Sequence, residues 1–72
     1  MAQINIKKKF SENLKKYRKR LNLTQEDLAY ELGLSVKYIQ RLESSNSTPN
    51  VGIETVSKFA NVLKVSPYLL LK

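Results

Sequence analysis

The sequence predicts an all-α domain of five short helices. Apolar residues recur at spacings of three and four, and nowhere do they alternate long enough to make a strand. N-cap residues Thr24, Ser35 and Ser66 each stand immediately before such a stretch. Punctuation is sparse: Gly33, the run Ser44 to Asn50 with Pro49, Gly52, and Ser66-Pro67. A chain of 72 residues is enough for one domain around one core, spanning 1–72.

The first helix is expected from about Ile6 or Lys7 to Leu21, because Ile6, Phe10, Leu14, Tyr17 and Leu21 share one face. Thr24 caps the second, Gln25 to about Leu32, with Glu26 and Asp27 in its first turn, where carboxylates suit the helix dipole. Asp27 occupies the capping-box position. Leu28, Ala29 and Leu32 point inward, and Gly33 supplies the left-handed residue that ends the helix. Ser35 caps the third helix, about Val36 to Ser44, with Ile39 and Leu42 inward. After a polar loop, the fourth runs from about Gly52 to Leu63, with Ile53, Val56, Phe59, Ala60 and Leu63 on its apolar side. Ser66 and Pro67 open a short fifth helix holding Tyr68, Leu69, Leu70 and Leu71.

Composition removes whole classes of chemistry. There is no cysteine and no histidine, so disulfides, thiol nucleophiles and the usual transition-metal and general-base residues are missing. No cofactor or metal is expected. The carboxylates Glu26, Asp27 and Glu31 are explained by helix-start electrostatics, so an enzyme is not expected either. No apolar run approaches the ~18 residues of a membrane span, and no stretch has the layout of a signal peptide. A cytoplasmic domain with no membrane partner follows as the expectation. The net charge of +7 is uneven: up to Leu21 there are eight basic residues against Glu12 alone, and the remainder is neutral. A basic segment beside a neutral body suits a polyanionic partner, although a lysine-rich helix also keeps a small protein soluble.

The densest signal is Gln25 to Glu43, QEDLAYELGLSVKYIQRLE. Two short helices are joined by a few residues centred on Gly33, which allows the positive backbone angle of a tight turn. Ala29 is small where the third helix must cross the second. Leu28, Leu32, Leu34, Ile39 and Leu42 fill the angle between them. With these residues in register, the chain resembles the lambda-repressor-like, Cro-type helix-turn-helix domains. The resemblance rests on Leu14 and Arg18, LTQEDLA from Leu23 to Ala29, LGLS from Leu32 to Ser35, and Ile39 with Arg41-Leu42-Glu43. It continues through Pro49, the TVSKFANVL run ending at Leu63, and VSPYLLL. The chain departs from the family at Ser44, where many members have Gly, and at 45–48, which lack the basic residues some members use on phosphates.

That resemblance implies five helices with the third in the DNA major groove and the helix-turn-helix at about 25–44. It also implies a phosphate contact at Gln25 and an ion pair between Arg18 and Glu43. The outward face of the third helix follows independently from its phase. With Ile39 and Leu42 buried, Lys37, Gln40, Arg41 and Ser44 fall opposite, and Val36 lies at the exposed N-terminal end. Lys or Arg can read guanine, Gln adenine, and Val a thymine methyl. Val36, Lys37, Gln40 and Arg41 are therefore the expected base contacts, and Gln25, Ser35, Tyr38 and Ser44 the expected backbone contacts. Tyr38 lies on the flank and suits a phosphate or the rim of the core equally.

Four apolar residues in a row, Tyr68, Leu69, Leu70 and Leu71, exceed what one helix face can bury in so small a domain. They, with part of the fourth helix, are the expected homodimer surface. The expected function is a transcriptional regulator that binds a palindromic double-stranded DNA operator, with no small-molecule effector. That expectation resembles the small regulators of phages, mobile elements and restriction–modification systems alike. An antitoxin-like interaction module would use the C-terminal apolar run equally well. An RNA reader is disfavoured, because only Tyr30 and Tyr38 are candidate stacking platforms.

Overall fold

A computed structural model describes residues 6–44 and 50–72. Five α-helices and no strand are found among the described residues: α1 (Ile6–Arg20), α2 (Gln25–Leu32), α3 (Val36–Leu42), α4 (Ile53–Leu63) and α5 (Pro67–Leu71). Pro49 and the departure at 45–48 lie outside the described residues.

Local chemistry sets the boundaries of α2. Thr24 Oγ1 accepts a hydrogen bond from the Asp27 N–H, and Asp27 Oδ2 accepts one from the Thr24 N–H, closing a capping box. Two bonds to the ionised carboxylate, the backbone one foremost, hold the Asp27 carboxyl below the usual aspartate range. Gly33 ends the helix at φ +66°, and Leu34 N–H returns to Ala29 O. No atom stands within 4 Å of where a Cβ on Gly33 would lie, so backbone conformation rather than space requires glycine there. At the end of α4 the left-handed position is filled by Lys64, φ +60°.

The core joins all five helices. Phe10, Leu14 and Tyr17 of α1 meet Leu28 and Ala29 of α2 and Ile39 and Leu42 of α3. Val56, Phe59, Ala60 and Leu63 of α4 and Leu70 of α5 complete it. Phe10 and Phe59 pack edge to face with centroids 5.9 Å apart, a favoured arrangement of ring quadrupoles. Two polar bonds from α1 fasten distant helix ends. Ser11 Oγ donates to Leu42 O at 2.7 Å, and Asn13 Nδ2 donates to Leu70 O at 3.0 Å. Each satisfies a carbonyl that its own helix leaves unpaired. No helix among the described residues is long and apolar enough to cross a membrane.

Several sequence expectations need correction. Glu31 lies in the last turn of α2 rather than at its start, so helix-start electrostatics account only for Glu26 and Asp27. The third helix stops at Leu42 rather than Ser44, with Glu43 as its C-cap, and Leu21 lies beyond the end of α1. Gly52 is the N-cap of α4 rather than its first residue. Ile6 and Ile53 have the helical phase of core residues but are exposed, Ile53 at 85%. Each sits in the opening turn of its helix. Leu34, expected in the angle of the turn, is 37% exposed. Leu70, expected at a dimer surface, is fully buried in its own core under the α1–α5 contact.

Candidate nucleic-acid interface

The candidate recognition surface lies on α3. Ile39 and Leu42 fix that helix to the core, which leaves Lys37, Gln40 and Arg41 exposed on the opposite side. Val36 is half-buried against the core edge, so only part of it faces outward. Ser35 is exposed as N-cap, and its Oγ accepts from the Tyr38 N–H at 3.1 Å. That bond satisfies one orphan donor of the helix and positions the serine at its tip. Tyr38 is half-buried on the α4 side, where it borders a groove with Leu32, Leu34, Thr55, Lys58 and Phe59. Ser44 follows the helix, half-buried, with its N–H donating to Arg41 O. The structure thus brings all four candidate base-reading residues to one helix, with Val36 turned furthest inward.

Behind this surface α1, α2 and α3 are locked by one polar cluster. Arg18 Nε donates to Glu43 Oε2 at 2.6 Å and Arg18 Nη2 to Glu43 Oε1 at 2.9 Å, a bidentate pair. Arg18 Nη1 donates to Leu23 O at 2.8 Å. The side chains of Arg18 and Glu43 are only 9% and 3% exposed. A pair this deep loses its hydration, and the fork geometry and the additional bonds offset that cost. Gln25 Nε2 also donates to Glu43 Oε1, at 3.0 Å. This last bond was not legible in the sequence, since Gln25 reads equally well as a free residue at a helix start. Nor were the Ser11 and Asn13 bonds, in which side chains meet backbone carbonyls that carry no residue signature.

Of the expected dimer residues, Tyr68 is 63% exposed, Leu71 is 38% exposed and Leu69 is half-buried. Leu71 borders a groove of about 350 Å³ lined by Ile6, Phe10, Val51, Ile53 and Val56 among others. The apolar surface therefore reaches from α5 onto the opening turn of α4, and also onto that of α1, which the sequence reading missed.

Two short helices joined at Gly33, with the second held across the first and its polar face free, define a helix-turn-helix domain. The comparisons agree with the geometry. The helix-turn-helix family HTH_3 matches residues 14–70, and the chain belongs to this lambda-repressor-like family. It is 40% identical over 63 residues to the uncharacterized HTH-type transcriptional regulator YqaE of Bacillus subtilis (strain 168). That match covers 88% of this chain and 53% of YqaE, so the chain spans about half the length of this relative. Among solved structures it is similar to the restriction-modification controller protein C.AhdI from Aeromonas hydrophila, with TM-score 0.76 and 32% identity. That similarity covers 86% of this chain and 91% of C.AhdI. It is also similar to SinR, the master regulator for biofilm formation, solved in complex with DNA. There the TM-score is 0.78 and the identity 30%, over 88% of this chain and 98% of SinR.

Proposed function

We propose that the chain is a DNA-binding transcriptional regulator, not an enzyme, that reads a palindromic operator as a homodimer through α3 in the major groove. The observation that carries this reading is the exposed row Lys37, Gln40 and Arg41 on a helix whose base is locked by the Arg18–Glu43 pair. A surface that reads bases needs its donors on a rigidly held helix, and the Arg18–Glu43 pair holds this one at its base. Val36 supplies an apolar contact at the helix tip. Ser35, Tyr38, Ser44 and Gln25 surround that face as backbone contacts, with the start of α2 presenting N–H groups to a phosphate. Membership of the HTH_3 family and similarity to the DNA-bound SinR support the reading.

The second subunit is a copy of this chain. Tyr68, Leu69 and Leu71, with Ile6 and Ile53, form its contact. Ile53 projects from the surface beside the apolar groove, so two copies related by a twofold axis can each place that residue in the other's groove. Burying the exposed parts of Ile53 and Leu71 contributes about 2–4 kcal/mol per protomer before the cost of association. Selection of bound duplexes from a random library tests the whole reading. It should return an inverted repeat with half-sites about one helical turn, ~34 Å, apart. Recovery of no consensus would refute sequence-specific recognition, and a single unrepeated half-site would refute the symmetric dimer.

A further inference from the structure

The Gln25–Glu43 bond is not needed to hold the helices together. Arg18 already grips Glu43 through two bonds and the Leu23 carbonyl through a third, which closes α1 on α3 and on the approach to α2. What the bond at 3.0 Å adds is a fixed carboxamide at Gln25. A long side chain in the first turn of a helix otherwise samples several rotamers, and ordering it costs entropy whenever a ligand needs it. Here the acceptor is a carboxylate committed to an arginine, so the amide presents its nitrogen rather than its oxygen to Glu43. One Nε2 hydrogen is thereby used. The other makes no hydrogen bond among the described residues, and Gln25 is only half-buried. A donor is thus held ready beside the opening N–H groups of α2.

We propose that Glu43 is a positioning residue for the DNA-backbone contact of Gln25. Through one carboxylate, the phosphate anchor on α2 and the last turn of the recognition helix become a single rigid unit. The inference rests on Gln25 being a phosphate contact. Arg18 is the third member in an electrostatic sense. An unpaired carboxylate so close to a phosphate would repel it, and the bidentate guanidinium cancels that charge where the amide must work. The unit also fixes how far α3 enters the groove relative to the phosphate that Gln25 holds.

The test is a double-mutant cycle on DNA affinity, using a selected operator duplex and the same duplex with one methylphosphonate at the Gln25 contact. Arg18→Met with Glu43→Leu removes the buried pair without stranding a charge. In the unaltered protein, Gln25→Ala should weaken binding about fivefold on every unmodified duplex, whatever its base sequence. In the Met/Leu background it should cost less than twofold, with both proteins folded by circular dichroism. The methylphosphonate should weaken the unaltered protein more than the Met/Leu variant, in which only the N–H groups of α2 still hold that phosphate. An undiminished fivefold effect in that background overturns the positioning role while leaving the phosphate contact in place. No effect of Gln25→Ala on any duplex removes the phosphate contact itself, and the inference with it. A measurement on the unaltered free protein does not depend on the variants folding. Side-chain ¹⁵N relaxation should show the Gln25 amide as rigid as the backbone and the exposed Gln40 amide mobile. Equal mobility of the two overturns the proposal.

Discussion

Arg41 lies on the exposed side of α3, opposite buried Ile39 and Leu42, and its side chain makes no hydrogen bond or ion pair among the described residues. Arg41→Ala should weaken operator binding by about 1–3 kcal/mol and relax preference at one base pair per half-site. Binding measured across single-base operator variants checks this; an equal loss on all of them would reduce Arg41 to a phosphate contact. Glu43 is the contrasting case. Glu43→Gln leaves the Arg18 guanidinium almost fully buried beside a neutral amide and should destabilise the fold by about 3 kcal/mol. Chemical denaturation measures it, and a change below about 0.5 kcal/mol would mean the pair contributes little. At this scale the sequence was readable where phase alone decides exposure, as for Lys37, Gln40 and Arg41. It was unreadable where a polar side chain chooses among partners, as Gln25 does.

Helix ends were legible wherever a residue type is chemically obliged to sit there. Thr24, Asp27 and Gly33 bound α2, and their roles follow from hydroxyl, carboxylate and missing Cβ. The end of α3 was misread because Ser44 carries no such signal, and the last turn is closed instead by Glu43, whose side chain is engaged elsewhere. Two substitutions contrast the left-handed positions. Gly33→Ala should cost about 1–2 kcal/mol from backbone strain alone. Lys64→Gly should raise stability by up to about 1 kcal/mol by relieving that strain, and a lower melting temperature would contradict it. The cap also confers an acid limit. Because the folded Asp27 carboxyl titrates below its unfolded value, its stabilisation is complete above the unfolded value of about 3.9. It is lost as pH falls from there through the depressed folded value. Asp27→Asn should therefore flatten that part of the stability–pH profile, and an unchanged profile would locate the acid sensitivity elsewhere.

Across the whole molecule, the alternation of helices and the membership of the core were readable from spacing, because each helix buries one stripe. What spacing could not supply was where packing runs out. Ile6 and Ile53 have core phase but are exposed, and Leu70 looks like surplus apolar surface until α1 and α5 are seen together. The exposed residues now single out Leu71 and Ile53 for the test of assembly. Leu71→Lys or Ile53→Lys should stay folded by circular dichroism yet sediment as a monomer. Binding to one half-site should survive while affinity for the full inverted repeat falls at least tenfold, since the operator no longer holds two linked subunits. Dimers persisting in both variants would place the interface on another face.

The contact between α1 and α5 has a topological consequence. The Asn13 to Leu70 bond brings the first and last helices together, and Ile6 and Leu71 border the same groove, so the described chain is nearly a closed ring. In a ring, the point of opening is arbitrary so far as the core is concerned. A circular permutant joining Lys72 to Ile6 through a short Gly/Ser linker, with new ends just before Gly52, would retain every core residue and every bond between α1, α2 and α3. It should also unfold at a similar denaturant midpoint.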